Sequence, residues 1–137
     1  TKLLPLAAVI TPNIPEAETL CGFPIESQEG MLRAADAISR MVTGGVLIKG
    51  GHLTSSADDL LYADGQAHWF QSPRIDTPNT HGTGCTMSSA IACNLALGYS
   101  LEESIKNAKE YITGALQEGF DLGKGCGPLN HCYRIQI

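Results

Sequence analysis

The segment Gly44-Gly45-Val46-Leu47-Ile48-Lys49-Gly50-Gly51-His52 sets three consecutive apolar residues between two glycine pairs. A short all-apolar run closed on both sides by turn residues is the signature of a strand buried on both faces. Upstream, Leu6-Ala7-Ala8-Val9-Ile10 is a second such run, closed by Thr11-Pro12-Asn13, and predicts a first strand from Leu6 that ends near Ile10. Between the two, Asn13-Ile14-Pro15-Glu16 places a good N-cap residue three before a Glu, with proline in the first turn where no amide proton is missed. A short helix should cover Ile14 to Cys21. Ser27 can cap a second helix, in which Met31, Ala34, Ala35, Ile38, Met41 and Val42 recur at helical spacing while Arg33, Asp36 and Arg40 fall elsewhere. Gly44-Gly45 stops it. Strand, helix, strand is the parallel crossover unit, which puts the chain in the α/β class.

Downstream, Asp59 to Ala63 and Gln66 to Gln71 flank Asp64-Gly65, a favoured two-residue hairpin turn, so an antiparallel ribbon is expected. After Pro73 and Pro78 comes Thr80-His81-Gly82-Thr83-Gly84-Cys85-Thr86, then a helix through Leu97 with Met87, Ala90, Ile91, Asn94 and Leu95 on one face, ended by Gly98. Ser100-Leu101-Glu102-Glu103 is a capping box for a long helix with the stripe Leu101, Ile105, Ala108, Ile112, Ala115 and Leu116, frayed by Gly119 and Gly123. A glycine-rich tail leads into Leu129-Asn130-His131.

The chain has 137 residues, the length of one ordinary domain. Nine Lys and Arg against fourteen Asp and Glu give a net charge of −5, so no cationic surface is on offer to polyanions, and nucleic acid is excluded as a partner. No apolar run approaches the roughly 18 residues of a membrane helix, so no membrane is expected either. Five cysteines, odd in number and without a CxxC pair, suit reduced thiols in a cytoplasm. Cys126 and Cys132 flank His131, but one loop with two thiols and an imidazole falls short of a zinc spacing. The first residue is Thr1 and an apolar run follows almost at once, which reads as a chain entered midway.

The chemistry concentrates at turns. A glycine pair directly before a long helix, His81-Gly82-Thr83-Gly84-Cys85, leaves unpaired amide donors at the positive end of the helix dipole, an anion pocket. Cys85 falls in the first turn, at the positive end of the helix dipole, a place from which a thiol could serve as base or nucleophile. The bland counterpart is a tight turn with a small buried cysteine. Lys49 follows a buried strand, so its ammonium projects from the carboxyl edge where open α/β sheets bind ligands; a solvated lysine in a turn is the competing reading. Asn13 and Glu16 could hold a hydrated Mg²⁺ or orient phosphates, although capping already explains their spacing. His52 and His81 adjoin the glycine segments but have no carboxylate partner in the sequence, which leaves a hydrolase triad unsupported. His68, beside Trp69 on the hairpin, reads as structural.

These residues resemble the carboxyl-terminal half of the hydroxymethylpyrimidine/phosphomethylpyrimidine kinases of thiamine biosynthesis, a family of the ribokinase-like superfamily. The resemblance is carried in order by Thr11-Pro12-Asn13-Ile14-Pro15-Glu16-Ala17-Glu18, Val46 to His52, Asn79 to Ile91 and Gly127-Pro128-Leu129-Asn130-His131, and covers essentially residues 1–137. It implies a ribokinase-like three-layer α/β/α sandwich, mostly parallel with an antiparallel hairpin, of which this chain is the nucleotide-binding half of a single domain. It implies ATP and Mg²⁺ as cofactors, a small pyrimidine as acceptor, a homodimer in the full-length protein, and an amino-terminal half that supplies much of the acceptor pocket. By the resemblance Gly82, Thr83 and Gly84 form the anion hole, Cys85 is the catalytic base, Lys49 contacts phosphate, and Asn13 and Glu16 support phosphates and the metal, with Glu16 on the metal side. Sugar kinases of the superfamily mostly carry Asp where this chain has Cys85, so the thiol points to the pyrimidine branch. A pyridoxal-type kinase and a non-catalytic nucleotide-binding module are the alternatives.

Overall fold

The computed structural model describes residues 2–51, 58–71, 75, 77, 80–118 and 125–135. His52, Pro73, Pro78, Asn79, Gly119 and Gly123, each given weight above, lie outside the described residues. The chain forms two compact units, Thr1–Pro73 and Arg74–Ile137.

The first unit is a four-stranded sheet in the order β1-β2-β3-β4, with β1 at Val9–Ile10, β2 at Gly45–Ile48, β3 at Asp59–Ala63 and β4 at Gln66–Phe70. β1 pairs parallel to β2, with Val9 opposite Gly45, and the connection between them holds α1 (Ile14–Cys21) and α2 (Gln28–Ser39). β3 runs antiparallel to β2 and β4 antiparallel to β3. The sheet of this chain is therefore mixed: the parallel character rests on the crossover pair, and the ribbon adds two antiparallel pairings. Asp64 and Gly65 turn the ribbon with φ of 52° and 74°, the two positive angles of a type I′ hairpin.

α2 lays Met31, Ala34, Ala35 and Ile38, all fully buried, against Val46, Ile48 and Leu60 on one sheet face, with Ile14 and Ala17 of α1 completing the cluster. Each large side chain so buried contributes about 1.5–3 kcal/mol. Leu47 and Leu61, paired across β2 and β3, point to the opposite face and are buried as well, so β2 is covered on both sides as its composition predicts.

Two boundaries differ from the sequence reading. The first strand starts at Val9, not Leu6, because Leu4–Leu6 winds into a 3₁₀ turn with Pro5 in its first positions. The Leu6 amide bonds Leu3 O at 3.0 Å, and Leu6 is 81% exposed. Proline cannot donate to a ladder, so the apolar run is broken before it can pair. The second helix ends at Ser39, not at Gly44: the Ser39 hydroxyl bonds the Asp36 carbonyl at 2.8 Å and competes for the backbone, so Met41 leaves the buried stripe.

The second unit is built on α3 (Thr83–Ala96) and α4 (Leu101–Gln117), which pack on each other. Met87 and Ile91 of α3 are buried, as are Ile105, Ala108 and Ala115 of α4. Ser100 and Glu103 close the expected capping box: the Glu103 amide donates to Ser100 Oγ at 3.3 Å, and the Ser100 amide donates to Glu103 Oε2 at 3.1 Å. The Glu103 carboxyl is held below the usual carboxylate range, first by the Ser100 hydroxyl and then by the Ser100 amide. Because the folded value is the lower one, the cap's contribution is present above the unfolded pKa and lost as pH falls through the folded one. Ser100→Ala should destabilise the fold at neutral pH, and its difference from wild type should shrink on acidification. Urea midpoints at about pH 7 and about pH 3, either side of the ordinary carboxylate range, check this.

Candidate functional site

In the first unit the crossover brings three of the expected residues to one sheet edge. Asn13 and Lys49 form an isolated parallel bridge just beyond the ends of β1 and β2, and the Lys49 amide donates to Pro12 O at 2.9 Å. The turn after Lys49 is tied down where the Gly50 amide donates to Oδ1 of buried Asp59 at 2.9 Å. Lys49 is half-buried, with no carboxylate partner among the described residues. Asn13 Oδ1 accepts from the Glu16 amide at 2.9 Å, and Glu16 Oε2 accepts from the Asn13 amide at 2.8 Å. The capping box read from the sequence is therefore formed, and Glu16 is exposed.

The second unit holds the glycine turn. Gly82 is the N-cap of α3 with φ of 86° and no side-chain cap. A Cβ added at Gly82 would meet nothing within 4 Å among the described residues, so the glycine is required by the backbone angle alone. The Thr86 amide closes the first helical bond to Gly82 O at 2.9 Å, while Thr83 bonds back to Thr80 O through its amide at 3.4 Å and its hydroxyl at 3.1 Å. The amides of Gly84 and Cys85 meet no acceptor among the described residues, as expected of a first turn. Cys85 is exposed.

The Cys85 flank of α3 opens onto a groove of about 630 Å³ between α3, α4 and the segment near His131, lined among others by Ser89, Asn94, Tyr111 and Arg134. Asn94, placed by the sequence on one face of α3 with Met87, Ala90 and Ile91, is a polar tie: its Oδ1 accepts from Asn107 Nδ2 at 2.8 Å and its own Nδ2 donates to Ala90 O at 2.9 Å. Tyr111 and His131 stack with centroids 6.2 Å apart and rings 17° from parallel. Tyr111 was not singled out in the sequence, because a tyrosine on an amphipathic helix has no local signal of its partner twenty residues on.

Among the described residues no three His, Cys, Asp or Glu side chains cluster as metal ligands. The exposed Glu16 carboxylate is of the donor type Mg²⁺ takes, one or two carboxylates with phosphates and water completing the shell. The amides of the first turn of α3 are donors of the kind that receive an anion.

Residues 1–130 match the family model described as phosphomethylpyrimidine kinase. The chain belongs to that family. It is 47% identical over 135 residues to the hydroxymethylpyrimidine/phosphomethylpyrimidine kinase of Streptomyces coelicolor, covering 98% of this chain and 50% of the relative. Among solved structures, an ADP complex of Bacillus subtilis pyridoxal kinase superimposes with a TM-score of 0.89 at 42% identity, covering 96% of this chain and 52% of that one. The pyridoxal kinase of Staphylococcus aureus in complex with AMP-PCP gives 0.90 at 33% identity, over 98% and 50%. The fold is thus of the ribokinase-like α/β class, and the chain spans about half the length of the relatives it matches.

Proposed function

We propose that this chain is the nucleotide-binding half of an ATP-dependent kinase that phosphorylates hydroxymethylpyrimidine, and then its monophosphate, in thiamine biosynthesis. The observation that carries the reading is the first turn of α3, where, after a left-handed Gly82, the Gly84 and Cys85 amides meet no acceptor among the described residues and stand beside an exposed thiol. In the first reaction the acceptor's hydroxyl oxygen bonds to the γ-phosphorus while the bond to the β-bridging oxygen breaks and ADP leaves. The Cys85 thiolate takes the hydroxyl proton, and the amides of the 82–85 turn stabilise charge on the equatorial oxygens. The Lys49 ammonium neutralises phosphate at the sheet edge. Asn13 and Glu16 cap the first turn of α1, and the exposed Glu16 carboxylate would help hold the metal. Mg²⁺, when bound, supplies charge neutralisation across the phosphates.

The remaining half of a protein of its relatives' length supplies the acceptor pocket in this reading. A homodimer of the complete protein and a cytoplasmic location belong to the same proposal; the second is supported by five unpaired cysteines, four of them exposed. No helix among the described residues is long and apolar enough to cross a membrane.

A pyridoxal-type kinase is the second reading, favoured by the likeness to two pyridoxal kinases. Turnover on the two acceptors separates them: the complete protein should phosphorylate hydroxymethylpyrimidine faster than pyridoxal, and the reverse order would exchange the two readings. Binding of Mg-ATP with no transfer to either acceptor would leave a nucleotide-binding module.

A further inference from the structure

Apart from α3 itself, the glycine turn is held from one direction among the described residues. Thr83 bonds back to Thr80, within the turn, and the remaining tie comes from far along the chain: His81 pairs with Pro128 in an isolated parallel bridge, its amide donating to Gly127 O at 3.3 Å. His81 immediately precedes Gly82, so this bond fixes the Thr80–His81 peptide, one peptide before the left-handed residue.

The segment that makes the bond, residues 125–135, has no regular structure of its own, and its place depends on α4. The Asn130 amide donates to Ala115 O at 3.2 Å and its Nδ2 to Glu118 O at 3.1 Å, using carbonyls that the end of a helix leaves without partners. Asn130 Oδ1 in turn accepts from the Cys132 amide at 3.1 Å. One side chain thus satisfies two backbone groups on opposite sides of itself. The Tyr111 hydroxyl donates to His131 O at 3.2 Å and lies 3.2 Å from its Nδ1, and the Tyr111 ring meets Tyr133 at 5.6 Å. Tyr133 lies on Gly114, where a Cβ would run into its ring. Gly127 and Leu129, between the two anchors, are buried.

We infer that this segment is a strap that carries the rigidity of α4 to the anion turn, with Asn130 and Tyr111 as positioning residues for phosphoryl transfer. The inference rests on the function proposed above. Neither side chain has to touch the nucleotide. Their effect is on the angle of the amides: donors aimed at oxygens that gain charge only in the transition state lose their advantage when displaced by an ångström, and such misplacement costs up to about 100-fold in rate. Ground-state affinity, spread over many contacts, changes less.

The test uses a protein of its relatives' length with Asn130→Ala and, separately, Tyr111→Phe, which keeps the ring and removes the hydroxyl. Amide hydrogen exchange at His81 should accelerate in both, more in Asn130→Ala, while protection of Ile105 and Ala108 in α4 stays as in wild type. In the same variants kcat should fall, by about 10-fold for Asn130→Ala, with the nucleotide KM within about twofold. If Asn130→Ala does not fold, Tyr111→Phe carries the test. Unchanged exchange at His81 in a folded variant overturns the strap, as does a raised KM with kcat intact. A wild type that transfers no phosphate refutes the proposed function instead, and the hydrogen-exchange comparison still decides the strap.

Discussion

Cys85→Ala in the complete protein is expected to lower turnover on hydroxymethylpyrimidine by about 100- to 10,000-fold, the range that a positioned general base supplies. Mg-ATP affinity should stay near wild type, because the phosphate is held by backbone amides that the substitution leaves in place. The second phosphorylation makes a sharper test. Its nucleophile is an oxygen of a phosphate monoester, whose second pKa of about 6 leaves it largely deprotonated at neutral pH. There is little proton for a base to remove. The same variant should therefore lose far less on the monophosphate than on the alcohol, and steady-state kinetics with the two acceptors, alongside calorimetry with Mg-ATP, measures both. Equal activity of mutant and wild type on the alcohol would reduce the sulfur to a surface thiol. Equal losses on both acceptors would assign it to binding or positioning rather than to proton transfer.

Gly82→Ala should be the next most damaging change, and the protein contains its own control. Gly82 and Gly98 sit at opposite ends of α3 with φ of 86° and 89°, and at both a Cβ would meet nothing within 4 Å. Alanine at either position therefore costs only the left-handed backbone, about 1–2 kcal/mol, with no steric clash to confuse the comparison. The two variants should lose similar stability in chemical unfolding. Only Gly82→Ala should lose turnover, by about 100-fold, the effect of disturbing a transition-state amide donor. Similar turnover in both variants would mean that the helix mouth is not where the transferred phosphate sits.

Local signals were legible where the physics is local. Asn13 with Glu16 and Ser100 with Glu103 form the capping boxes that their spacing predicts, because a cap is satisfied within four residues. Asp64-Gly65 turns the hairpin with both angles positive, since few other residue pairs can. The errors fall where a periodic pattern was extended past a competing hydrogen bond: Pro5 converts the start of the apolar run to a 3₁₀ turn, and Ser39 ends α2 before the glycines do. Asn94 shows the other limit. Helical spacing put it on one face with Met87 and Ile91, but its side chain meets Asn107 on the next helix, a partner that no period reveals.

Residue types alone settled which elements form, that the glycine turn opens a helix with a cysteine in its first turn, and the likeness to the kinase family, because backbone angles, caps and hydrophobic periods are written in adjacent residues. Tertiary structure alone decided that Asn13 lies against Lys49 and that the segment around Asn130 ties α4 to His81. Those contacts join residues twelve to more than forty positions apart. They exist only because buried carbonyls and amides must find partners wherever the packed chain brings them, and no local pattern encodes which partner that is.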